Sequence, residues 1–229
     1  MRRNNIAKSV ICFLVLISLL SLASPSFSGE VLQDLPKTIN PNSKYIFFLH
    51  GDIIENKGVA SAKSKKYGFY EYKKILNAIA KHELVVISEV RDDDTKIKPY
   101  TKKMAAQVNA LIEKGVPAKN ITVSGFSKGG KITLVTSSLL GNKDINYVVL
   151  AGCSRKSREF INEFNLDLKG RVLSIVDYND DTFSSCDDMF NNSSGGLEHK
   201  EIILREGSGH GVFYTPNEKW IEPMINWIK

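Results

Sequence analysis

With 229 residues, 42% of them apolar and 24% charged, the chain carries enough hydrophobic material for one sizeable core and no compositional mark of disorder. Part of the formal charge of +6 sits at the amino terminus, since residues 1 to 28 hold Arg2, Arg3 and Lys8 and no acid, and without them the charge is +3. No Lys/Arg block with interleaved aromatics occurs, so nucleic acid is not an expected partner.

The first element is a leader. Arg2, Arg3 and Lys8 precede the 14-residue apolar run VICFLVLISLLSLA, residues 10 to 23, and then the small-residue stretch SPSFS. The run is shorter than the roughly 20 residues that span a bilayer. Ser26 and Ser28 supply small side chains at the −3 and −1 positions of a cleavage site before Gly29. This pattern predicts a secretory signal peptide over 1–28 and a periplasmic or secreted domain over 29–229, with no stable membrane insertion after cleavage. An uncleaved anchor is the alternative. A lipoprotein fits less well, because Cys12 lies inside the apolar run and follows Ile11. Loss of Cys12 leaves an even pair, Cys153 and Cys186, in a compartment that permits disulfides.

Six β-like runs follow in order: 45 to 50, 84 to 88, 121 to 125, 147 to 152, 171 to 176 and 200 to 206. They are nearly continuous in apolar character, as strands buried on both faces are. Between them lie segments of helical period: Phe69, Tyr72, Ile75, Leu76 and Ile79; Met104, Val108, Leu111 and Ile112; Ile132, Val135 and Leu139. A closing segment places Trp220, Ile221, Met224, Ile225 and Ile228 on one face. Alternating strands and helices predict a single α/β domain around a doubly wound, mostly parallel sheet. The stretch 177 to 199, rich in Asp, Asn, Ser and Gly, reads as a long loop.

In such a sheet the ligand crevice lies beyond the carboxyl ends of the strands. Four of those ends are chemically loaded: His50-Gly51-Asp52; Gly125-Phe126-Ser127-Lys128-Gly129; Asp177 with Asp180 and Asp181; and Gly207-Ser208-Gly209-His210-Gly211. A G-x-S-x-G run between strand and helix is the pattern of a nucleophile elbow. Its turn is so tight that the residues two before and two after the serine must be nearly free of side chain. The competing reading is a tight turn with Ser127 as helix N-cap. Among the four histidines, His82 and His199 suit the surface and His50 suits a backbone-holding role. His210, between two glycines after the last strand, is the one placed to reach Ser127, with a solvent-exposed loop histidine as the alternative.

The segments FFLHGD, VSGFSKGG, VLSIVDYNDD and GSGHG, in that order and each at a strand end, resemble the α/β-hydrolase fold across nearly all of residues 44 to 229. The resemblance implies a Ser127, His210 and Asp triad, with an oxyanion hole formed by the backbone N–H groups of Lys128 and Asp52. It also implies a trimmed fold. Little chain between Gly29 and Lys44 is left for two leading antiparallel strands, and no large lid follows the fourth run. For the acid, the family's strand-end spacing ranks Asp180 first, Asp181 second and Asp177 third. Consecutive strands are neighbours in this fold, so Cys153 and Cys186 can reach one face and are expected to pair; two free thiols are the alternative.

The acidic run DYNDDTFSSCDD lacks the glycine at its sixth position and the glutamate at its twelfth that calcium loops use, so no metal or other cofactor is expected. Lys128, beside the nucleophile, reads either as a cation attracting an anionic substrate group or as a solvated surface lysine. Together these features predict an exported serine hydrolase acting on the carboxylic ester or thioester of a small acyl substrate. An acyltransferase, or a non-catalytic binding protein on the same fold, is the alternative. The acyl group, leaving group and oligomeric state are not written in these motifs.

Overall fold

A computed structural model describes residues 29–229, and the leader read at 1 to 28 lies outside the described residues. The elements run, in chain order, β1 (Glu30–Leu32), β2 (Lys44–Leu49), α1 (Asp52–Ser61), β3 (Lys63–Ser64), β4 (Gly68–Phe69), α2 (Tyr72–Ala80), β5 (Leu84–Ile87) and α3 (Ile97–Glu113). They continue with β6 (Ile121–Phe126), α4 (Lys128–Leu140), β7 (Asn146–Leu150), α5 (Ser157–Phe164), β8 (Gly170–Asp177), α6 (Asp187–Asn192), β9 (Leu197–Leu204) and α7 (Glu218–Ile228). Seven strands form one sheet in the order β1-β5-β2-β6-β7-β8-β9, and every pairing in it is parallel.

The inner strands β2 and β5 to β8 are apolar on both faces because both faces are covered, whereas the edge strands β1 and β9 are largely exposed. Ile46 and Phe48 of β2 point into a core completed by Ile75 and Ile79 of α2 and by Trp220, Ile221 and Met224 of α7. Their neighbours Tyr45, Phe47 and Leu49 point into the other core, with Met104 and Val108 of α3 and Ile132 of α4. Each such fully buried large side chain contributes about 1.5–3 kcal/mol of hydrophobic stabilisation. α4 is buried on several sides at once, which explains its weak helical stripe.

From β2 the chain moves outward to β5, returns across β2 to β6, and then proceeds steadily to β9. Connections therefore leave the adjacent strands β2 and β6 in opposite directions, and their carboxyl ends flank the crevice of an open α/β sheet. Leu49 is paired with Gly125, and Phe126 with Leu150. The register thus brings His50, Ser127 and Ala151 to one rim.

Several elements differ from the sequence reading. β1 is a short parallel edge strand, so the main sheet is wholly parallel among the described residues, and antiparallel pairing is confined to the β3–β4 hairpin and an isolated Ser154–Phe183 bridge. Phe69 belongs to that hairpin and is 57% exposed, so the first helical run starts at Tyr72. The stretch read as a loop from 177 to 199 contains α6 and the start of β9. α1 and α5 escaped notice because α1 buries only Ile54 and Glu55, and α5 only Ser157 and Phe160. No helix among the described residues is long and apolar enough to cross a membrane.

Candidate active site

Ser127 sits between β6 and α4 with φ 56° and ψ −115°, a conformation L-residues adopt at a cost of about 1–3 kcal/mol. Backbone hydrogen bonds hold it there: Ser127 N–H donates to the Leu150 carbonyl at 2.9 Å, and its own carbonyl accepts from Lys131 N–H at 3.1 Å. The flanking glycines are required by contact. A Cβ on Gly129 would run into the Leu49 carbonyl, and one on Gly125 into the backbone of Gly129. Sharp reversal and close packing of α4 on β2 thus leave no room for side chains on either side of the serine. Its side chain is buried but lines a cavity of about 400 Å³ together with Asp52, Ile97, Lys128, Lys131, Thr182, Phe183 and His210. A cavity of about 470 Å³ opens at the other end of the sheet beside Lys44 and Leu84, where the strands present their amino ends, away from these groups.

His210 lies in the short 3-10 turn Gly209–Tyr214. Gly209 has φ +53°, and a Cβ there would approach the Asn179 carbonyl to 2.7 Å, so this turn lies flat on the loop after β8. The imidazole Nδ1 is 2.7 Å from Asp180 Oδ2. The other Asp180 oxygen accepts the N–H groups of Thr182 and Phe183, each at 2.9 Å. Burial works to raise the Asp180 pKa. The hydrogen bond and charge of His210, with the two backbone donors, outweigh it and hold the carboxyl below its ordinary range. A carboxylate accepts only, so Nδ1 carries the proton and Nε2 is left as the basic nitrogen. The ring is clamped by Phe183, stacked at 4.9 Å and 9°, and by Phe126 at 4.6 Å.

The other two acids do different work. Asp181 is exposed and pairs with Lys66 at 2.6 Å. Asp177 binds three backbone N–H groups, those of Asn179, Glu206 and Gly209, at 2.9–3.1 Å, and so ties the β8 end to the segment that carries His210. These carboxylates diverge, and no group of three potential metal ligands forms among the described residues.

Asp52 and Lys128 are the first residues of α1 and α4, where a backbone N–H has no partner within its own helix. Both line the Ser127 cavity. His50 is fully buried and donates Nδ1–H to the Gly51 carbonyl at 2.8 Å, while its Nε2 accepts from Arg91 N–H at 2.9 Å. Burial, then the charge of Arg91, lowers its pKa to about 3, so it stays neutral and structural. His199 is exposed against Phe190, and His82 is half-buried at the far end of the sheet.

Cys153 and Cys186 form a disulfide with Cα atoms 5.2 Å apart. Beside it, Ser184 N–H donates to the Cys153 carbonyl at 2.9 Å, and Ser154 bridges Phe183. The crosslink thereby anchors the segment that stacks Phe183 on His210. Closing a loop of 33 residues stabilises the fold by about 3–4 kcal/mol on the chain-entropy estimate. A Cys153→Ala/Cys186→Ala double variant is expected to melt at lower temperature than the parent. It is also expected to lose ester hydrolysis at temperatures where circular dichroism still reports a folded protein; coincident loss of the two signals would detach the disulfide from the site.

Sequence reasoning missed Glu55, Arg91 and Phe183. The ammonium of Lys128, a side chain 22% exposed at the cavity, is ion-paired with the buried Glu55. The signal was present in Arg91, a charge close after an apolar strand, and in Glu55, one turn beyond the HG motif. Neither residue type announces a partner so distant in sequence.

The profile of the Phospholipase/Carboxylesterase family matches residues 80–175, a span that contains the elbow and ends before Asp180 and His210. No curated protein matches the sequence. Similar solved structures include SOBER1 of Arabidopsis thaliana, 16% identical with TM-score 0.54 over 81% of this chain and 97% of that one. An arylesterase is 13% identical, TM-score 0.56, over 84% and 77%. A truncated carbohydrate esterase from gut microbiota is 15% identical, TM-score 0.53, over 85% and 87%. The chain has the α/β-hydrolase fold.

Proposed function

We propose that this chain is an exported serine esterase that cleaves a small carboxylic ester or thioester through an acyl-enzyme. The single observation that carries the reading is the 2.7 Å bond from Asp180 to His210 Nδ1, which leaves Nε2 as the basic nitrogen in a cavity that Ser127 shares. Nε2 takes the hydroxyl proton as Ser127 Oγ adds to the acyl carbon. The oxyanion is received by the N–H groups of Lys128 and Asp52. Nε2 then returns the proton to the leaving alcohol or thiol as its bond to the acyl carbon breaks. Water, deprotonated by the same nitrogen, adds to the acyl-enzyme, and as the adduct collapses Nε2 returns that proton to Ser127 Oγ, which frees the acid and the serine. The charged imidazole formed in each half is stabilised by Asp180.

The family match on the elbow and the esterase neighbours support this reading. Export is supported by the leader pattern and by the Cys153–Cys186 bond, which persists in oxidising compartments. The cavity is small and bordered by the polar side chains of Asp52, Lys131 and Thr182, which suits a short acyl group.

A fluorophosphonate probe is expected to label the folded protein at Ser127, and a panel of p-nitrophenyl esters to be hydrolysed fastest at short chain length. A folded protein that is neither labelled nor active is a binding module. If an added acceptor alcohol outcompetes water for the acyl group, the chain is an acyltransferase.

A further inference from the structure

The oxyanion donors assigned above belong to segments with unequal support. Lys128 opens α4, which is packed on several sides. Asp52 opens α1, which buries just Ile54 and Glu55 and has non-helical backbone at Gly58 (φ 70°, ψ 163°). Apolar packing therefore does little to fix the Asp52 N–H relative to the Lys128 N–H. Charge does it instead. Glu55 Oε1 accepts from Arg91 Nε at 2.7 Å, and Glu55 Oε2 from the ammonium of Lys128 itself. Arg91 in turn donates Nη2–H to the carbonyl of His50, two residues before Asp52, and its backbone N–H to the His50 ring.

We propose that Glu55 is a positioning residue for the oxyanion hole: its carboxylate ties the first turn of α1 to Lys128 and so sets the spacing between the two N–H donors. The inference rests on the esterase reading and adds to it a side chain that touches no reacting atom.

Three features make the tie more than an incidental surface pair. Glu55 and Arg91 are buried, with side chains 1% and 0% exposed, so their attraction is little screened by water. Both carboxylate oxygens are used, one on each partner. The three residues come from three separate strand-end segments, those after β2, β5 and β6. A buried ion network of this kind adds little net stability over apolar packing, and its well-attested use is to specify one arrangement among several. Here the arrangement specified is the distance between two donors that must converge on one developing charge. That charge is absent from the bound ester and develops on the way to the tetrahedral adduct, so an error in spacing is felt in kcat far more than in KM.

The test uses Lys128→Met, which cuts the tie but keeps the Lys128 N–H, and Glu55→Gln, with Asn56→Ala as a control on the exposed side of α1. The readout is hydrolysis of p-nitrophenyl acetate, a neutral ester. Lys128→Met and Glu55→Gln are expected to lower kcat about tenfold or more, a fraction of the roughly 10²–10³ that follows outright loss of an oxyanion donor, with KM within about threefold. Lys128→Arg, which still reaches Glu55, is expected to recover most of that loss. Faster amide hydrogen exchange over residues 51–57, at an unchanged melting temperature in Lys128→Met, is the independent signature of a released α1.

Overturning results are equally concrete. The proposal falls if Lys128→Met keeps kcat within threefold, if exchange over 51–57 is unaltered, or if the loss appears as raised KM with kcat unchanged, which would make Lys128 a substrate-binding residue. Failure of the esterase reading looks different. The parent protein would then show no turnover above Ser127→Ala, while the exchange measurement still reports on the tie.

Discussion

Ser127→Ala is expected to keep the fold and to lower hydrolysis of activated esters by about 10⁴-fold or more, because in the proposed mechanism Ser127, His210 and Asp180 act as a unit. No hydrogen bond of Ser127 Oγ is present among the described residues, and the backbone contacts to Leu150 and Lys131 do not involve the side chain. Alanine can therefore occupy the strained turn on the same terms as serine, and the melting temperature is expected to stay where it was. His210→Ala is expected to lose a comparable amount of activity. It also removes the ring stacked between Phe183 and Phe126, so its melting temperature falls as well. Steady-state kinetics beside thermal denaturation separates the two effects. Activity of Ser127→Ala within tenfold of the parent would remove the serine from its role.

The second large effect concerns the acid. Asp180→Asn is expected to reduce kcat by about 10³–10⁴-fold, since the amide neither compensates the charged imidazole nor dictates the tautomer that leaves Nε2 basic. Asp181→Asn is expected to stay within about threefold of the parent, because its solvent-exposed pair with Lys66 lies on the outside of the loop. Reversal of that order would make Asp181 the functional acid. The same carboxylate carries a pH signature. The folded pKa of Asp180 lies below the unfolded value, so its ionisation contributes stability present above the unfolded carboxylate pKa and lost as pH falls through the folded one. Melting temperature measured down the acid limb is therefore expected to drop less steeply for Asp180→Asn than for the parent.

Much of this arrangement is local and therefore legible in the chain. Apolar runs such as YIFFLH, flanked by helical stripes, demand a sheet covered on both faces. The glycines of GFSKG demand a turn with no room for side chains, and the histidine between Gly209 and Gly211 needs a flexible support. The order of serine, acid and histidine follows from the same residues. Short elements were harder to read. β1 has three residues and α6 has six, too few for a period to declare itself. α1 buries a carboxylate where an apolar residue was the natural expectation.

What the sequence by itself determined is the set of strand ends and the chemistry placed on them, because periodicity and glycine placement act within a few residues of the backbone they shape. Only the tertiary structure decided which groups meet. Asp177, Asp180 and Asp181 lie within five positions and are identical in type, yet one ties the His210 segment down, one holds the imidazole and one faces water. Lys128 sits next to the nucleophile in sequence but is bound to Glu55, 73 positions away. Electrostatic and hydrogen-bonding partners are chosen by direction and distance in space, over gaps of a few ångströms, and sequence separation does not encode those quantities.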